Sequence, residues 1–238
     1  MRCYERRMTK PVCVVVGVGP GNGAAFARRF SRDGYAVALL ARNDEHTAPL
    51  AKELPDSRAF ACDAGDAASV ARAFAAIREQ MGAPKVVVYN AGTGTFGTFD
   101  EVTAADLESA WRVNTLGLFA VAKEVVPGMT DGGSIVIVGA TASRRGAART
   151  TAFAQAKAAQ RVLAESLAKQ LWPKGVHVSL IIIDGVVDLP RTRAWMKDKP
   201  DSFFVAPDDV AATAAFLAAQ PRSAWTFELE ARPFGENW

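Results

Sequence analysis

Short runs of apolar, often β-branched residues alternate with alanine-rich segments along nearly all of this 238-residue chain. Seven of these runs are predicted strands: Val12–Val16, Ala36–Ala41, Arg58–Ala61, Lys85–Tyr89, Ser134–Val138, Val176–Ile183 and a short one near Thr226–Leu229. Valine and isoleucine runs without polar alternation are typical of strands that helices cover on both faces, as in a parallel sheet. The alternation predicts a doubly wound α/β fold with a mostly parallel seven-stranded sheet flanked by helices.

Six helical segments are predicted between the strands: about Gly23–Asp33, His46–Leu54, Ala67–Met81, Ala104–Val126, Thr151–Trp172 and Asp208–Ala219. Pro207 and the two aspartates after it favour the last helix, because negative charge stabilises a helix N-terminus. No flexible linker or internal repeat divides the chain. Residues 11–238 are therefore predicted to form a single domain that follows a flexible arm of residues 1–10.

Composition excludes several classes of protein. The formal charge is only +3 and the basic residues are scattered, which predicts no nucleic-acid partner. The three cysteines lack C-x-x-C spacing, as expected of reduced thiols. The basic N-terminus has no apolar signal segment, and the apolar runs are too short to span a bilayer. We therefore expect a soluble cytoplasmic protein without a membrane partner.

A glycine-rich turn follows the first predicted strand and precedes the first helix. It reads Gly17-Val-Gly19-Pro-Gly21-Asn22-Gly23. Glycines permit a tight turn and let backbone N–H groups approach a pyrophosphate, whose charge a helix N-terminus stabilises. In this context Gly17, Gly21, Asn22 and Gly23 are predicted to bind a dinucleotide. The alternative is an ordinary glycine-rich connection between a strand and a helix.

The end of the second strand bears on which dinucleotide binds. An acidic residue there would accept hydrogen bonds from the adenosine ribose and select NAD, but the chain has Ala41 followed by Arg42. A guanidinium pairs in a forked geometry with a phosphate. NADP(H) is therefore predicted over NAD(H), and the alternative is that Arg42 is a solvated loop residue.

Further motifs follow in a fixed order. They are Ala61-Cys62-Asp63, Tyr89-Asn90-Ala91-Gly92, Val113-Asn114 and Phe153-Ala-Gln-Ala-Lys157. With the glycine-rich turn, this ordered set resembles the short-chain dehydrogenase/reductase family over most of the chain. The resemblance implies a Rossmann-type fold, with Asp63 at the adenine amino group and Asn90 in the cofactor site. It also implies a homodimer or homotetramer built on the Ala104–Val126 and Thr151–Trp172 helices and the last strand.

The loop after the sixth strand also resembles the family. In this loop, which lies beside the nicotinamide in the family, Asp184 replaces the usual proline and Leu189 replaces the usual threonine. The resemblance implies that the backbone of Val187 still contacts the carboxamide. The following Arg191–Phe204 stretch is the natural substrate lid. Its aromatic residues predict a partly apolar pocket, although packing in the core explains them nearly as well.

Family members use a catalytic asparagine, serine, tyrosine and lysine. The serine binds the substrate carbonyl, the tyrosine donates its proton as hydride leaves the nicotinamide, the lysine binds the ribose and lowers the pKa of the tyrosine, and the asparagine holds a relay water. Asn114 and Lys157 match, but Phe153 stands at the tyrosine position and Ala140 at the serine position. The chain resembles a subgroup with Phe-x-x-x-Lys, in which Ser143 belongs to the pattern.

Two functions are consistent with this sequence. The first is an NADP-dependent oxidoreductase for a small, partly apolar carbonyl or alcohol, with Asn114, Ser143 and Lys157 as catalytic residues. Losing a positioned general acid typically lowers a rate by about 10²–10⁴. The second is a catalytically inactive NADP(H)-binding sensor or scaffold. The two histidines have no ligand spacing, so no metal site is predicted.

Overall fold

The computed structural model describes residues 10–93 and 96–236. Residues 1–9 of the predicted arm lie outside this range, and Lys10 forms an ion pair of 2.8 Å with Asp56. The strands in the described residues are β1 (Val12–Val16), β2 (Ala36–Ala41), β3 (Ser57–Ala61), β4 (Pro84–Tyr89), β5 (Gly133–Ala140), β6 (Val176–Ile183), β7 (Val186–Val187), β8 (Phe204–Val205) and β9 (Glu228–Ala231). The α-helices there are α1 (Asn22–Arg32), α2 (Thr47–Glu53), α3 (Ala67–Gln80), α4 (Ala104–Trp111), α5 (Gly117–Val125), α6 (Thr151–Leu171), α7 (Pro190–Trp195) and α8 (Pro207–Ala218).

The main sheet has seven strands in the order β3-β2-β1-β4-β5-β6-β9. Every pair of neighbouring strands in this sheet is parallel. This confirms the predicted doubly wound fold; the sheet was predicted to be mostly parallel and is fully parallel. The strand order reverses between β1 and β4. Ligands of such sheets bind outside the carboxyl ends of the strands at this reversal.

Helices cover both faces of the sheet. On one face α1, α2 and α8 bury Phe26, Leu50 and Leu217 against the strands. On the other face α3, α5 and α6 complete a second core that contains Phe74 and Leu118. Each large apolar side chain that is fully buried stabilises the fold by ~1.5–3 kcal/mol. The sheet is thus a rigid frame for the loops at its carboxyl edge.

Local chemistry sets several helix boundaries. α3 begins after Asp66, whose carboxylate accepts a hydrogen bond of 2.9 Å from the Ala68 N–H. α4 begins after Thr103, which forms a capping box with Asp106. The turn after α6 ends at Gly175, whose φ of +81° lies in the left-handed region that glycine adopts readily.

The prediction of one continuous helix over Ala104–Val126 is wrong in its middle. A π-helical turn, Arg112–Leu116, separates α4 from α5, and Gly117 closes it with a backbone hydrogen bond to the Arg112 carbonyl. Tyr89 is fully buried at the end of β4 and donates its hydroxyl to the Val113 carbonyl within this turn. A buried hydroxyl needs such a partner, and sequence periodicity alone does not reveal it.

The segment after β6 is more ordered than predicted. β7 and β8 pair in a separate two-stranded parallel sheet, and α7 lies between them in the chain. α7 therefore occupies the first part of the predicted lid, Arg191–Phe204. No helix in the described ranges is both long and apolar enough to cross a membrane.

Candidate active site

The glycine-rich turn packs closely against the loop after β4. Gly17 has a φ of +93°, and a Cβ added there would lie 2.5 Å from the Ala91 backbone nitrogen. A Cβ added at Gly23 would lie 2.6 Å from the Gly17 carbonyl oxygen. The Asn90 amide donates to that same oxygen at 2.7 Å. The two glycines are therefore required by close backbone approach, and Asn90 holds the turn in place.

The N-terminus of α1 meets this turn with unfilled hydrogen-bonding capacity. Gly21 precedes the helix and provides no side-chain cap. The first N–H groups of a helix lack intrahelical partners and favour an anion. Asn22 Oδ1 is buried, and no hydrogen bond to it occurs in the described part of the chain. Since buried polar atoms are nearly always hydrogen-bonded, this oxygen fits a donor supplied by a ligand.

A cleft of about 610 Å³ lies over the carboxyl ends of β1 to β4. The predicted cofactor residues that line it are Gly17, Gly21, Asn22, Gly23, Arg42, Asp63 and Asn90. Gly92, Val113 and residues 189–191 line it as well. The lining runs from the end of β2 past the glycine-rich turn to the loop after β4. Lys157 and Val187 are not among its lining residues.

One end of the cleft is formed by the ends of β2 and β3. Arg42 is exposed there, and no hydrogen bond or ion pair to it occurs in residues 10–93 and 96–236. Asp63 Oδ1 accepts a hydrogen bond of 2.8 Å from the Gly65 N–H. Burial raises the pKa of the neighbouring Cys62 thiol to about 11, so it is a neutral wall of the cleft. Arg42 therefore offers a free guanidinium to an anion.

The segment just before the predicted lid packs over the glycine-rich turn. A Cβ added at Gly21 would lie 2.3 Å from Leu189 Cδ2, so Leu189 fills the space that the glycine leaves. The Thr192 hydroxyl donates to the Val187 carbonyl at 2.6 Å. Arg193 connects the lid to the residues before it, with ion pairs of 2.7 Å to Asp188 and 2.5 Å to Asp201. These contacts make the lid an ordered unit.

Aromatic rings occupy the position that the tyrosine would hold. Phe153 is half-buried on α6, and its ring centroid lies 5.2 Å from that of the exposed Phe96. Two hydroxyls lie nearby and form different hydrogen bonds. Ser143 is buried, and its Oγ accepts a hydrogen bond of 3.1 Å from the Ala140 N–H. Thr141 donates its proton to the Asp184 carboxylate at 2.5 Å.

Lys157 lies buried on the same face of α6. Its Nζ donates to the Val138 carbonyl at 2.8 Å and to Gln160 Oε1 at 3.0 Å. Burial lowers the pKa of this ammonium to about 7. An ammonium has three N–H donors, so one is left for a ligand. A Cβ added at Gly92 would lie 3.5 Å from Nζ, which places the ammonium beside the loop that borders the cleft.

Asn114 lies in the π-helical turn and is fully buried. Its Nδ2 donates to the Ala110 carbonyl at 2.9 Å, while its Oδ1 has no partner in the described residues. Its main-chain carbonyl accepts a hydrogen bond of 2.8 Å from Gln160 Nε2. Sequence reasoning missed Gln160, because spacing places it on the helix face of Lys157 but does not reveal its second partner, the Asn114 main-chain carbonyl.

Asp184 takes part in a charged cluster at the carboxyl end of β6. Its carboxylate lies 2.8 Å from an Arg232 nitrogen and 3.5 Å from an Arg145 nitrogen, and it is buried. With the Thr141 hydroxyl, these groups compensate a charge that burial would otherwise penalise. The cluster connects the lid region with the segment that follows β5, a connection the sequence did not predict.

These features define a class of protein: a Rossmann-type fold with a cleft at the strand-order reversal and a buried lysine and asparagine beside it. The sequence model of the family described as enoyl-(acyl carrier protein) reductase matches residues 17–228. A D-threitol dehydrogenase from Mycolicibacterium smegmatis is 30% identical over 230 residues, which cover 91% of this chain and 88% of the relative.

Solved structures agree with this match. A short-chain dehydrogenase from Rhodopseudomonas palustris superposes with a TM-score of 0.81 at 31% identity, covering 94% of this chain and 99% of the other. A metagenomic short-chain oxidoreductase in complex with NADP superposes with a TM-score of 0.81 at 27% identity, covering 94% of this chain and 97% of the other. The chain belongs to the short-chain dehydrogenase/reductase family of oxidoreductases.

Proposed function

We propose that this protein is an NADP(H)-dependent oxidoreductase that acts on a small, partly apolar carbonyl or alcohol in a site without the tyrosine acid. One observation carries the proposal. The buried Lys157 ammonium has a donor to spare beside Gly92, a residue that also lines the cleft. A donor at that point would bind the nicotinamide ribose and orient the ring for hydride transfer.

The chain offers a partner for each part of the cofactor. The glycine-rich turn and the N-terminus of α1 would bind the pyrophosphate, and Asn22 Oδ1 would accept a hydrogen bond from a neighbouring ribose hydroxyl. Arg42 would bind the 2′-phosphate that distinguishes NADP from NAD, and Asp63 the adenine amino group. Val187 would contact the carboxamide through its backbone. NADPH, once bound, supplies a hydride to the substrate.

The source of the proton differs from that in a site with tyrosine. Phe153 has no proton to give, and Thr141 directs its own proton to Asp184. Ser143 accepts from the Ala140 N–H, so its own O–H stays available as a donor. We therefore assign Asn114, Ser143 and Lys157 as the catalytic residues. Because a serine hydroxyl is a weak acid, water or the substrate itself supplies the net proton. The Phe96–Phe153 pair favours an apolar group on the substrate.

Titration of the purified protein with NADPH and with NADH, followed by nicotinamide fluorescence, tests the proposal. A panel of apolar ketones and aldehydes is then added to the saturated complex. We expect tighter binding of NADPH than of NADH and slow, substrate-dependent oxidation. Failure to bind either nucleotide would overturn the assignment of the cleft. Tighter binding of NADH would overturn the role of Arg42 alone.

A catalytically inactive NADP(H)-binding sensor or scaffold is the second candidate. The observation in its favour is that neither Phe153 nor Ala140 carries a hydroxyl. Tight NADPH binding without turnover of any substrate would support this candidate over the enzyme.

We also propose that the protein is cytoplasmic and assembles as a homodimer or homotetramer. Cys13 and Cys62 are buried and free of disulfides, as expected in a reducing compartment. Phe119 on α5 and Val162 on α6 are apolar but exposed, at 46% and 59%. Packing these two helices against a second copy would remove both side chains from water.

A further inference from the structure

Gln160 forms a bridge between Lys157 and Asn114, two of the residues assigned to catalysis. It is fully buried in α6 and lies three residues after Lys157, on the same helix face. Its Oε1 accepts a hydrogen bond of 3.0 Å from Lys157 Nζ. Its Nε2 donates one of 2.8 Å to the Asn114 main-chain carbonyl. Both ends of one amide are therefore used in the site.

The Asn114 carbonyl that accepts from Gln160 belongs to the π-helical turn. Two consecutive carbonyls of the turn accept hydrogen bonds from side chains, Val113 from the Tyr89 hydroxyl and Asn114 from Gln160. The Thr115 hydroxyl adds a hydrogen bond of 3.0 Å to the Ala156 carbonyl of α6. The turn is thus fixed to β4 through Val113 on one side of the bridge and to α6 through Thr115 on the other.

We propose that Gln160 is a positioning residue that holds Lys157 with one N–H directed at a ribose hydroxyl of the cofactor and joins Lys157 to Asn114 without a water. The proposal rests on the proposed function, because it assumes a dinucleotide in the cleft. An amide nitrogen does not accept a hydrogen bond, so the bridge passes no proton from the lysine towards Asn114. Lys157 is then a fixed donor and not a member of a proton relay.

The groups around Lys157 Nζ make its charge sensitive to this bridge. β5 contributes the Val138 carbonyl, α6 contributes Gln160 and the Phe153 ring, and the π-helical turn contributes Asn114 across Gly92. All of them are uncharged. No carboxylate of the described ranges forms an ion pair with this ammonium. Within the described residues, Gln160 Oε1 is the only side-chain atom that accepts a hydrogen bond from Lys157 Nζ. Since the other neighbours are uncharged, a substitution at position 160 should change the pKa of Lys157 directly.

Two substitutions at position 160 and one matched control test the proposal. Gln160→Leu removes both hydrogen bonds, and Gln160→Glu keeps the shape of the side chain but places a carboxylate on Lys157. Gln155→Leu is the control, because Gln155 lies on the same helix and loses two hydrogen bonds, to Leu107 and Ala152, without touching Lys157. Circular dichroism of each variant establishes that it is folded.

The first measurement is the NADPH dissociation constant from pH 5.5 to 9. We expect Gln160→Leu to weaken binding about tenfold or more, since hydrogen bonds to charged groups contribute ~1.5–3 kcal/mol. The pH midpoint of binding should fall in Gln160→Leu and rise in Gln160→Glu. The control should change neither quantity. Titration of the 2′-phosphate contributes equally to all variants and cancels in the comparison.

The second measurement needs no cofactor. The protein is labelled at lysine Cε with ¹³C, and the Lys157 signal is assigned by its loss in Lys157→Met. The midpoint of its titration should rise in Gln160→Glu and stay unchanged in Gln155→Leu. An unchanged midpoint in Gln160→Glu, or NADPH binding by Gln160→Leu within twofold of wild type, would overturn the proposal. If wild type binds no NADPH, the proposed function fails and the lysine titration still decides the role of Gln160.

Discussion

Lys157 Nζ lies 6.0 Å from the centroid of the Phe153 ring. The two residues are four apart on α6 and share one of its faces. A nearby cation favours an ionised phenol and lowers its pKa, but the Phe153 ring has no hydroxyl on which the ammonium can act. In the proposed site Lys157 would therefore bind the cofactor without a phenol whose pKa it could lower.

Phe153→Tyr is expected to increase carbonyl reduction by about 10²–10⁴, the usual contribution of a positioned general acid. The introduced hydroxyl would lie near the Lys157 ammonium, which lowers its pKa into a useful range. The measurement is NADPH oxidation with an apolar ketone in single-turnover experiments. Phe96→Tyr is the control, since its ring neighbours Phe153 but is not in contact with Lys157. Equal gains in both variants would contradict the prediction.

Most of the fold was predictable because buried parallel strands have a strong local signature. Val12–Val16, Ala36–Ala41 and Val176–Ile183 have the bounds that the sequence predicts. The small sheet of β7 and β8 was not predictable, because two-residue strands have no periodicity. Ion pairs of Arg193 with Asp188 and Asp201 hold that region together.

The candidate site likewise has a part that the sequence predicts and a part that it does not. The glycine-rich turn and Lys157 could be recognised because their spacing along the chain fixes their geometry. The Gln160 bridge could not, because its second partner is 46 residues away in the sequence and is a main-chain carbonyl, which every residue type provides. The packing of Leu189 over Gly21 depends likewise on the tertiary path of the segment that precedes the lid.

Arg42→Ala is expected to weaken NADPH binding by about 10–100-fold, the effect of losing a charge-assisted hydrogen bond of ~1.5–3 kcal/mol. Binding of NADH should change little, because NADH has no 2′-phosphate. Fluorescence titration with both nucleotides gives the two affinities. Arg32→Ala is the control, because Arg32 is exposed at the opposite end of α1 from the glycine-rich turn. A parallel loss of affinity for NADH would show that Arg42 does not read the phosphate.

Gly17→Ala is expected to destabilise the protein by ~1–3 kcal/mol and to abolish tight NADPH binding. The new Cβ would lie 2.5 Å from the Ala91 backbone nitrogen at a φ of +93°. Gly19→Ala in the same turn is the matched control, because a Cβ there meets no atom within 4 Å. Urea unfolding and NADPH titration of both variants measure the difference. Equal stability of the two would contradict the described turn geometry.

Phe119→Glu is expected to dissociate the proposed oligomer, because it places a charge on the exposed apolar face of α5. Size-exclusion chromatography with light scattering measures the mass of the variant and of wild type. Phe99→Glu is the control, since Phe99 is more exposed but lies before α4 and outside the α5 and α6 faces. A monomeric wild type, or an unchanged mass in Phe119→Glu, would remove α5 from the assembly.

Lys157→Met is expected to stabilise the protein most at low pH. Burial lowers the pKa of Lys157 to about 7, whereas its ordinary value in an unfolded chain is about 10.4. Between these values the unfolded chain binds more protons, so the stability of wild type rises with pH. The gain from Lys157→Met should therefore be larger at pH 6 than at pH 10, by about 3–5 kcal/mol.

Urea unfolding of both proteins from pH 6 to 10 measures this difference. Lys169→Met is the matched control, because Lys169 lies on the same helix but is largely exposed and paired with Glu165. Its effect should not rise as pH falls. The same gain from Lys157→Met at both ends of the pH range would mean that the folded protein holds Lys157 at its ordinary pKa. The ammonium would then be solvated or paired, contrary to its contacts with the neutral Val138 carbonyl and Gln160.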